Sequence, residues 1–467
     1  MKYIKLSILL VLLTSIGCDV LEQDPQTAIS EEIAIRDLKS ANAALNGLYD
    51  QLQSTDYYGD NIQIMSDVAS DITQSVGTWD FYREMDTFTT AKSNTENRNL
   101  WFALYQTVNH ANNLIAYVPG LTDVSPAERD RILGESYFIR ALAYFDLTRT
   151  YGGVIGEVGT LGVPLVTTPS RKIDESSYPS RSTLQASYDQ VKADLTMAES
   201  LLSGFDKPGR VSEAAVKALF SRLYLYLKDY PKTEAYATDV IDNYSFDLEP
   251  SYANIFAGEN TQEAIFELQY NTTDGNSLRF WHVPSKIGGR GDIAMHTDFS
   301  EMVKARPADT RGDLIGFDAD VGVYYPAKYN KTGGDDNIQI LRLAEMYLNR
   351  AEARANKSPM DAVGALSDLN KIRNRAGLAD TVGVGVVTKA QILLAIEKER
   401  SIEFILEAQR WYDLMRTGRA MTVMMDIPRK NGPDVTLPNK NYLLFPIPSR
   451  DMEANPNLAG QQNDAYK

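Results

Sequence analysis

Residues 388–418 read TKAQILLAIEKERSIEFILEAQRWYDLMRTG, and this pattern predicts one long helix. Thr388 and Gln391 form a capping-box pattern, in which each side chain accepts a hydrogen bond from the backbone N–H of the other residue. Thr417 and Gly418 predict the end of the helix, because glycine readily adopts the left-handed conformation that terminates helices. We therefore expect a continuous helix from about Thr388 to Gly418.

The side chains of this predicted helix divide into apolar and charged faces. The apolar residues recur at helical spacing, which predicts burial on two sides: Ile402, Phe404, Ile405, Leu406, Ala408, Trp411 and Met415. The charged residues recur three or four positions apart, where opposite charges can pair: Arg400, Glu403, Glu407, Arg410, Asp413 and Arg416. A helix of this kind supports other helices, so it predicts architecture rather than chemistry.

The composition is that of an acidic globular protein. The chain has 467 residues, of which 43% are hydrophobic and 23% charged, enough for a large core in one or more domains. It carries 47 basic and 62 acidic side chains, giving a net charge of −15. Nucleic acids and anionic membrane surfaces both attract basic proteins, so we expect neither a nucleic-acid partner nor a polybasic membrane contact.

The N-terminus has the pattern of a targeting segment. Lys2 and Lys5 precede an apolar run over residues 6–13, which is too short to span a bilayer. Cys18 is the only cysteine of the chain and follows a small residue. This arrangement resembles a bacterial lipobox, in which the thiol is acylated and cleavage leaves the cysteine as the new N-terminus. We expect residues 1–17 to be a signal peptide; the alternative is a secreted protein with an incidental cysteine.

The rest of the chain reads as paired antiparallel helices. Residues 18–30 are polar and are expected to form a lipid-anchored tether, followed by a single α-helical domain over residues 31–467. Residues 212–243 and 338–375 are helix-turn-helix units of roughly the tetratricopeptide length of about 34 residues. Such pairs bury their apolar faces only by stacking on neighbours. The sequence therefore predicts a mostly α fold of stacked helical hairpins with long loops and a few short β segments.

Two long irregular segments, residues 57–94 and 271–337, interrupt the predicted helices. Segments of this length without regular structure are usually functional or disordered. Two of the four tryptophans, Trp79 and Trp281, fall within them. The other two, Trp101 and Trp411, lie on helical stripes and are expected in the core.

Several short motifs follow one another in a specific order. They are Cys18 with LE at 21–22, ESYFIRA at 135–141, YGG at 151–153, RLAE at 342–345, RAEA at 350–353, IRNRAG at 372–377, ER at 399–400, WYDL at 411–414, LFPIP at 444–448, NPNL at 455–458 and QQN at 461–463. This combination resembles the SusD/RagB family of Bacteroidetes outer-membrane lipoproteins, and the resemblance covers nearly the whole chain after Cys18.

The resemblance implies a function as well as a fold. It implies a mostly α-helical protein, lipid-anchored in the outer membrane and facing the exterior. It implies a partner, a TonB-dependent β-barrel transporter of the SusC type, over which the protein sits as a lid. Members of the family capture glycans, or in some cases peptides, and pass them to that barrel. The resemblance implies no catalysis.

A glycan-binding surface needs aromatic faces for sugar C–H groups and polar groups for sugar hydroxyls, and loops often provide both. The candidate ligand-binding residues are Trp79, Tyr82, Arg83, Trp281, Arg279, His282, Asp67 and Asp71. Trp79 could instead anchor its loop. Asp67 and Asp71 are one turn apart if helical, and could instead form a cap or a solvated face.

No pattern in the sequence predicts an enzyme or a metal site. Three histidines occur, and HExxH, GxSxG and phosphate-loop patterns are absent from the sequence. Asp335 and Asp336 are adjacent, but a glycosidase needs a second carboxylate facing across a cleft. Residues 318–322 match only a fragment of a calcium loop. We expect no catalysis, no cofactor and no metal; the alternative to glycan capture is a peptide-binding uptake protein or a helical-repeat scaffold.

Overall fold

The computed structural model describes residues 34–170, 175–380, 388–425, 427–429, 437 and 439–467. The predicted signal peptide, the tether and the lipidation site at Cys18 lie outside these residues. Within them the chain is mostly helical, which confirms the predicted fold class. The helices are α1 (Leu38–Gln53), α2 (Asn61–Val68), α3 (Asp80–Asp86), α4 (Thr95–Tyr117), α5 (Pro126–Leu147), α6 (Leu184–Leu201), α7 (Glu213–Tyr226), α8 (Tyr230–Asn243), α9 (Leu278–His282), α10 (Thr297–Lys304), α11 (Leu343–Asn356), α12 (Ala362–Arg375), α13 (Lys389–Glu403), α14 (Arg410–Arg416), α15 (Ala420–Val423) and α16 (Ser449–Ala454).

The strands are short and pair antiparallel in three small sheets. They are β1 (Thr73–Ser75), β2 (Leu161–Pro164), β3 (Arg181–Thr183), β4 (Ala264–Leu268), β5 (Ile293–Met295), β6 (Ile315–Asp318), β7 (Val323–Pro326) and β8 (Ile338–Arg342). One sheet has the order β1-β5-β7-β6, and the other two are the pairs β2-β3 and β4-β8. The pairs β1-β5 and β4-β8 join parts of the chain that are far apart in sequence.

Helix packing follows the predicted hairpin pattern. Helices α4 and α5, α7 and α8, and α11 and α12 are packed consecutive pairs, and α8 also packs on α11. Side-chain N-caps begin several of these helices: Ser125 accepts from the backbone N–H of Glu128, and Asp361 accepts from that of Gly364. Residues 338–342, which were expected to open the second hairpin as helix, form strand β8 instead, because they pair with β4.

The predicted long helix over residues 388–418 is two helices, so that prediction is wrong. Helix α13 begins with the predicted capping box of Thr388 and Gln391 but ends at Glu403. Leu406 and Ala408 then adopt φ angles of 57° and 53°, and α14 starts at Arg410. The left-handed conformation is unfavourable for residues with a Cβ, so other contacts must stabilise the break.

Buried side chains from distant elements supply those contacts. Three cations donate hydrogen bonds to backbone carbonyls that a continuous helix would have used internally: Arg342 to Glu403 at 2.7 Å, Lys328 to Ile405 at 2.7 Å and Arg149 to Ala408 at 3.0 Å. The backbone N–H of Leu406 donates to the Asp67 carboxylate. The backbone groups of the break are thus satisfied by tertiary partners.

The predicted charged face of this segment is buried rather than solvated. Glu403 is fully buried and is paired with Arg342, Arg311 and Arg375. Burial raises the pKa of the Glu403 carboxyl, but the three guanidinium groups outweigh burial and hold the pKa well below its ordinary value. The charges therefore connect helices across the core, and Asp413 also pairs with Arg400 and Arg416 within the segment, as expected from their spacing.

Candidate functional site

The two segments that the sequence leaves irregular are joined to each other. Strand β1 pairs with β5 in the register Thr73↔Met295, Gln74↔Ala294 and Ser75↔Ile293. Beyond this ladder, the backbone N–H of Val76 donates to the carbonyl of Asp292 at 2.8 Å. The pairing brings the loop after β1 and the loop before β5 to the same place in the molecule.

Four aromatic side chains from these loops form one cluster. The ring centroids of Trp79 and Trp281 are 6.5 Å apart, with the ring planes at 90°. Phe81 lies 5.1 Å from Trp79, and Phe280 lies 5.3 Å from Trp281. Trp79 is 44% exposed and Phe280 is 47% exposed, whereas Phe81 and Trp281 are half-buried. We call these four residues the aromatic platform.

A charged pair covers one edge of the aromatic platform. The Arg290 guanidinium lies 4.8 Å from the ring centroid of Trp79 and 5.8 Å from that of Trp281, a cation–π arrangement. Its Nε donates to the carboxylate of Asp292. Gly77 is required here, because a Cβ at this position would lie 2.2 Å from Cγ of Asp292. The platform therefore combines aromatic faces with charged hydrogen-bonding groups at its edge.

A buried carboxyl group fixes the position of Trp281 by a hydrogen bond. The indole N–H of Trp281 donates to Oδ2 of Asp60 at 3.0 Å, and Asp60 is buried. Burial and the neighbouring carboxyl of Glu96 raise the pKa of Asp60 well above its ordinary value. Tyr82 packs on the other side, with its ring 5.3 Å from that of Trp281.

The predicted ligand-binding residues near the platform differ in their exposure to solvent. Arg83 is exposed and forms an ion pair with Asp80 beside Trp79. Tyr82, 1% exposed, supports the platform from the core and presents no face to a ligand. Arg279 is also buried and donates to backbone carbonyls at Ile287, Gly288 and Asn330, so it holds its own loop in shape.

His282 does not reach the surface. It is 2% exposed, its Nδ1 lies 2.7 Å from the carbonyl oxygen of Leu278, and burial lowers its pKa to about 4. The imidazole is therefore neutral at physiological pH. The expectation that Arg279 and His282 contact a ligand is not consistent with this burial, because α9 turns only its aromatic residues outward.

Asp67 and Asp71 are structural, and neither is the cap nor the solvated face considered from sequence. Asp67 is fully buried and accepts the backbone N–H of Leu406 at 2.7 Å. Asp71 accepts two hydrogen bonds from Arg410, both at 2.7 Å. Burial raises the pKa of Asp71, but the Arg410 guanidinium outweighs burial and leaves that pKa below its ordinary value. Both carboxylates are committed to the break between α13 and α14.

The sequence analysis did not identify every residue in and around the aromatic platform. Phe81, Phe280 and Arg290 belong to the same two irregular segments as the tryptophans, and their position beside Trp79 and Trp281 was a usable signal. Asp60 had no such signal, because an aspartate at a helix start usually caps the helix. The indole of Trp281 bonds its carboxyl only because β1 and β5 bring the two segments together.

A hollow lies among the helical hairpins, away from the platform. It has a cavity volume of about 440 Å³ and is lined by residues of α7, α8, α11, α13 and α14. Its charged side chains are paired with one another: Arg416 with Glu352, and Arg419 with Glu397. These pairs hold the hairpins together, so the hollow has the character of a packing seam.

Three of the acidic groups considered for catalysis or metal binding have hydrogen-bonding partners within the protein. Lys286 donates to Asp318 and to Asp320 in the β6–β7 hairpin, and Asp336 accepts the backbone N–H of Lys331. Across the described ranges, His, Cys, Asp and Glu side chains form no group of three or more that could hold a metal ion. None of the helices described has the length and apolarity needed to cross a membrane.

The motif order and the helical fold agree with a family comparison. The SusD family profile matches residues 167–466. The chain belongs to the SusD family. A second profile, described as starch-binding and associating with the outer membrane, matches residues 19–225. The resemblance inferred from the motifs is thereby confirmed.

Individual relatives of this SusD-family chain are similar over almost their full length. The SusD-like protein P2 of Formosa agariphila is 25% identical over 512 residues, covering 98% of this chain and 99% of that protein. A crystal structure of a SusD superfamily protein from Bacteroides thetaiotaomicron has 28% identity and a TM-score of 0.78, covering 91% of this chain and 99% of that one. Surface glycan-binding protein A from the same species, solved with laminarihexaose, is 22% identical with a TM-score of 0.75, covers 91% of this chain and 99% of its own, and shares the fold.

Proposed function

We propose that this protein captures a glycan chain on the aromatic platform. The observation that carries the proposal is the placement of Trp79 and Trp281, whose rings lie 6.5 Å apart at the surface although the residues are far apart in sequence. Aromatic faces bind the C–H faces of sugar rings, and the neighbouring charged groups of Arg290 and Arg83 can bond hydroxyl groups. Burial of exposed aromatic surface supplies the affinity and these polar groups supply orientation.

The family comparison supports a carbohydrate as the ligand. One matching profile is described as starch-binding, and a protein of the same fold was solved with laminarihexaose. A binding protein rather than an enzyme is consistent with the site, because its acidic neighbours are buried or ion-paired. Asp60, Asp67 and Asp71 are each held by a donor from another part of the chain.

The proposal includes a place of action. The lipobox-like position of Cys18 and the profile associated with the outer membrane support a lipid-anchored protein on the cell surface. The family resemblance supports a SusC-like TonB-dependent barrel as the partner that receives the glycan. Substitution of Cys18 by alanine is expected to release the protein from the outer-membrane fraction. Capture of a tagged chain from detergent-solubilised outer membranes is expected to retain one barrel protein in stoichiometric amount.

A binding screen tests the ligand class. The soluble chain beginning after Cys18 is titrated by calorimetry with maltohexaose, laminarihexaose and other defined oligosaccharides, and in parallel with peptides of similar length. Saturable binding of an oligosaccharide is expected. Saturable peptide binding without any sugar binding would replace this proposal by the peptide-uptake alternative.

A further inference from the structure

A buried carboxyl lies directly beneath the proposed glycan platform. Asp60 is 5% exposed, and its Oδ2 accepts the indole N–H of Trp281 at 3.0 Å. It stands at the N-cap of α2, where an aspartate usually accepts backbone N–H groups of the first helical turn. Its side chain makes no such capping bond here. The carboxyl is turned away from its own helix and toward Trp281, whose ring orientation it fixes.

The charges around Asp60 are unfavourable for a carboxylate. Burial, then Glu96, and then Asp56 raise the pKa of Asp60, while the hydrogen bond from Trp281 lowers it only in part. Glu96 itself has a pKa raised to about 7, because of burial and the charge of Asp56. Three carboxyl groups therefore share one poorly solvated region beneath the aromatic platform.

The other titratable groups that face this region do not neutralise Asp60. Tyr82 from α3 and Tyr270 beyond β4 are both buried, and burial together with the charge of Asp60 raises their pKa values, so both are neutral phenols. Burial raises the pKa values of Asp56 and Glu96, and Arg98 on α4, the nearby cation, only partly offsets this increase. Among the described residues, no lysine or arginine forms an ion pair with Asp60.

We propose that Asp60 is a positioning residue for Trp281 and that its protonation makes glycan capture sensitive to pH, an inference that rests on the proposed function. When Asp60 is neutral, its carbonyl oxygen accepts the indole N–H without placing a charge in the interior. As pH rises, Asp60 and Glu96 both lose protons, and their mutual repulsion and lack of hydration favour a state in which Asp60 reaches water. Trp281 then loses the partner that fixes its ring.

The direction of the pH effect follows from linkage. A carboxyl whose pKa is higher in the folded state contributes stability that is complete below its unfolded pKa and is lost as pH rises through the folded pKa. The ordered platform is therefore favoured at mildly acidic pH and is weakened at alkaline pH. Glycan affinity is expected to fall severalfold as the pH rises through the range in which Glu96, with a pKa of about 7, and Asp60 lose their protons.

Two measurements on the soluble chain test the positioning role of Asp60 and the pH dependence of glycan capture. The first is tryptophan fluorescence against pH without ligand, in which the wild-type chain is expected to show a transition that is absent in Asp60→Asn and in Trp281→Phe. The second is calorimetric affinity for maltohexaose from pH 6 to pH 9, with laminarihexaose as a second probe. Asparagine keeps an oxygen acceptor for the indole but cannot ionise, so Asp60→Asn is expected to abolish the pH dependence. Glu96→Gln is expected to move the midpoint to lower pH.

Asp50→Asn, an exposed carboxyl on α1, is the matched control and is expected to retain the wild-type pH profile. A fluorescence profile that is the same in wild-type and Asp60→Asn chains would overturn the positioning role. Sugar binding whose pH dependence is the same in both chains would overturn the link to capture. If neither sugar binds at any pH while the Asp60-dependent fluorescence transition is present, the proposed function fails and the positioning role stands.

Discussion

The backbone N–H of Leu406 donates a hydrogen bond of 2.7 Å to Oδ2 of Asp67, a residue 339 positions earlier in the chain. Asp67 lies near the end of α2, the same helix whose first turn follows Asp60. Burial raises the pKa of Asp67 to about 7, against the lowering effects of the Leu406 N–H and Lys328. The break between α13 and α14 is thereby fixed to the helix that supports the aromatic platform.

Removal of the platform tryptophans is expected to weaken glycan binding. An aromatic face contributes about 1 kcal/mol beyond its area burial, so Trp79→Ala should reduce affinity for a bound oligosaccharide roughly fivefold or more. Trp281→Ala should have a similar effect. Calorimetric titration measures both. Phe102→Ala, on α4 and 59% exposed, is the control for loss of a surface aromatic and should bind normally. If both tryptophan variants bind as tightly as the wild-type chain, the site assignment is wrong.

Gly77→Ala is expected to disturb the platform without unfolding the protein. The new methyl group would lie 2.2 Å from Cγ of Asp292, so Asp292 must move and Arg290 loses its partner above Trp79. We expect weaker oligosaccharide binding and an unchanged far-UV circular dichroism spectrum. Gly258→Ala is the control, since a Cβ there would meet no atom within 4 Å. Equal affinity of the two variants would contradict this account of the platform edge.

Loss of one buried guanidinium is expected to destabilise the fold strongly. Arg342 pairs with Glu263, Glu403 and Glu407 at 2.6–2.8 Å, and all four residues are buried. Arg342→Met removes one shared cationic partner from three buried carboxylates, and breaking buried ion pairs in this way typically costs about 3–5 kcal/mol in the free energy of unfolding.

Urea unfolding measures this cost. The control is Lys192→Met, which removes an ion pair with Asp189 at the surface and should change the free energy of unfolding by less than about 1 kcal/mol. Similar unfolding midpoints for the Arg342 and Lys192 variants would show that the buried charges contribute little.

Ala408→Gly tests the strain at the helix break. Ala408 has a φ of 53°, a conformation that costs an L-residue roughly 1 kcal/mol and glycine almost nothing. This gain should offset the lost methyl burial and the larger entropy of the unfolded chain, leaving the free energy of unfolding nearly unchanged. Ala395→Gly, inside α13, should instead destabilise by about 1 kcal/mol. Equal destabilisation by both changes, measured by thermal unfolding, would argue against strain at the break.

Acid is expected to weaken the contact between α13 and α14 through Asp413. Burial raises the pKa of this carboxyl, but Arg400 and Arg416 outweigh burial and lower the pKa to about 2. A carboxyl with a lowered folded pKa contributes stability above its unfolded pKa of 3.8, and this stability is lost as pH falls toward 2.

The contribution is on the order of 2 kcal/mol. The free energy of unfolding, measured by urea titration between pH 5 and pH 2, should therefore fall less steeply in Asp413→Asn than in the wild-type chain. Asp50→Asn, an exposed carboxyl on α1, serves as a control. Parallel pH profiles of Asp413→Asn and the wild-type chain would count against this ion pair as a source of acid sensitivity.

Local sequence patterns predicted the elements that depend on local contacts. The capping box of Thr388 and Gln391 and the burial of Trp101 and Trp411 follow from residues within a few turns of one another. The break at residues 404–409 could not be predicted in this way. Its partners, among them Asp67 and Arg342, lie far away in the chain, and they override a regular apolar pattern.

The candidate site also combines features that local sequence predicts with features that depend on residues far away in the chain. The sequence identified Trp79 and Trp281 because they lie in long irregular segments, which are usually functional or disordered, but their proximity depends on the three residue pairs between β1 and β5. Strands of three residues give too little alternation to be recognised from sequence. The orientation of Arg279 and His282 was also inaccessible, because the short helix α9 is oriented by Asn330, Ile287 and other distant backbone groups.

The antiparallel pairing of β1 with β5 forms a fixed support, and the two loop tips beyond it are free to vary. Residues 76–79 and 280–292 extend beyond that ladder, so their length and composition can change while the paired strands and the helices beneath them stay in place. Exchange of these two tips together between homologous proteins should transfer ligand choice without refolding the rest. Exchange of a single tip would pair one half of a binding surface with the wrong other half.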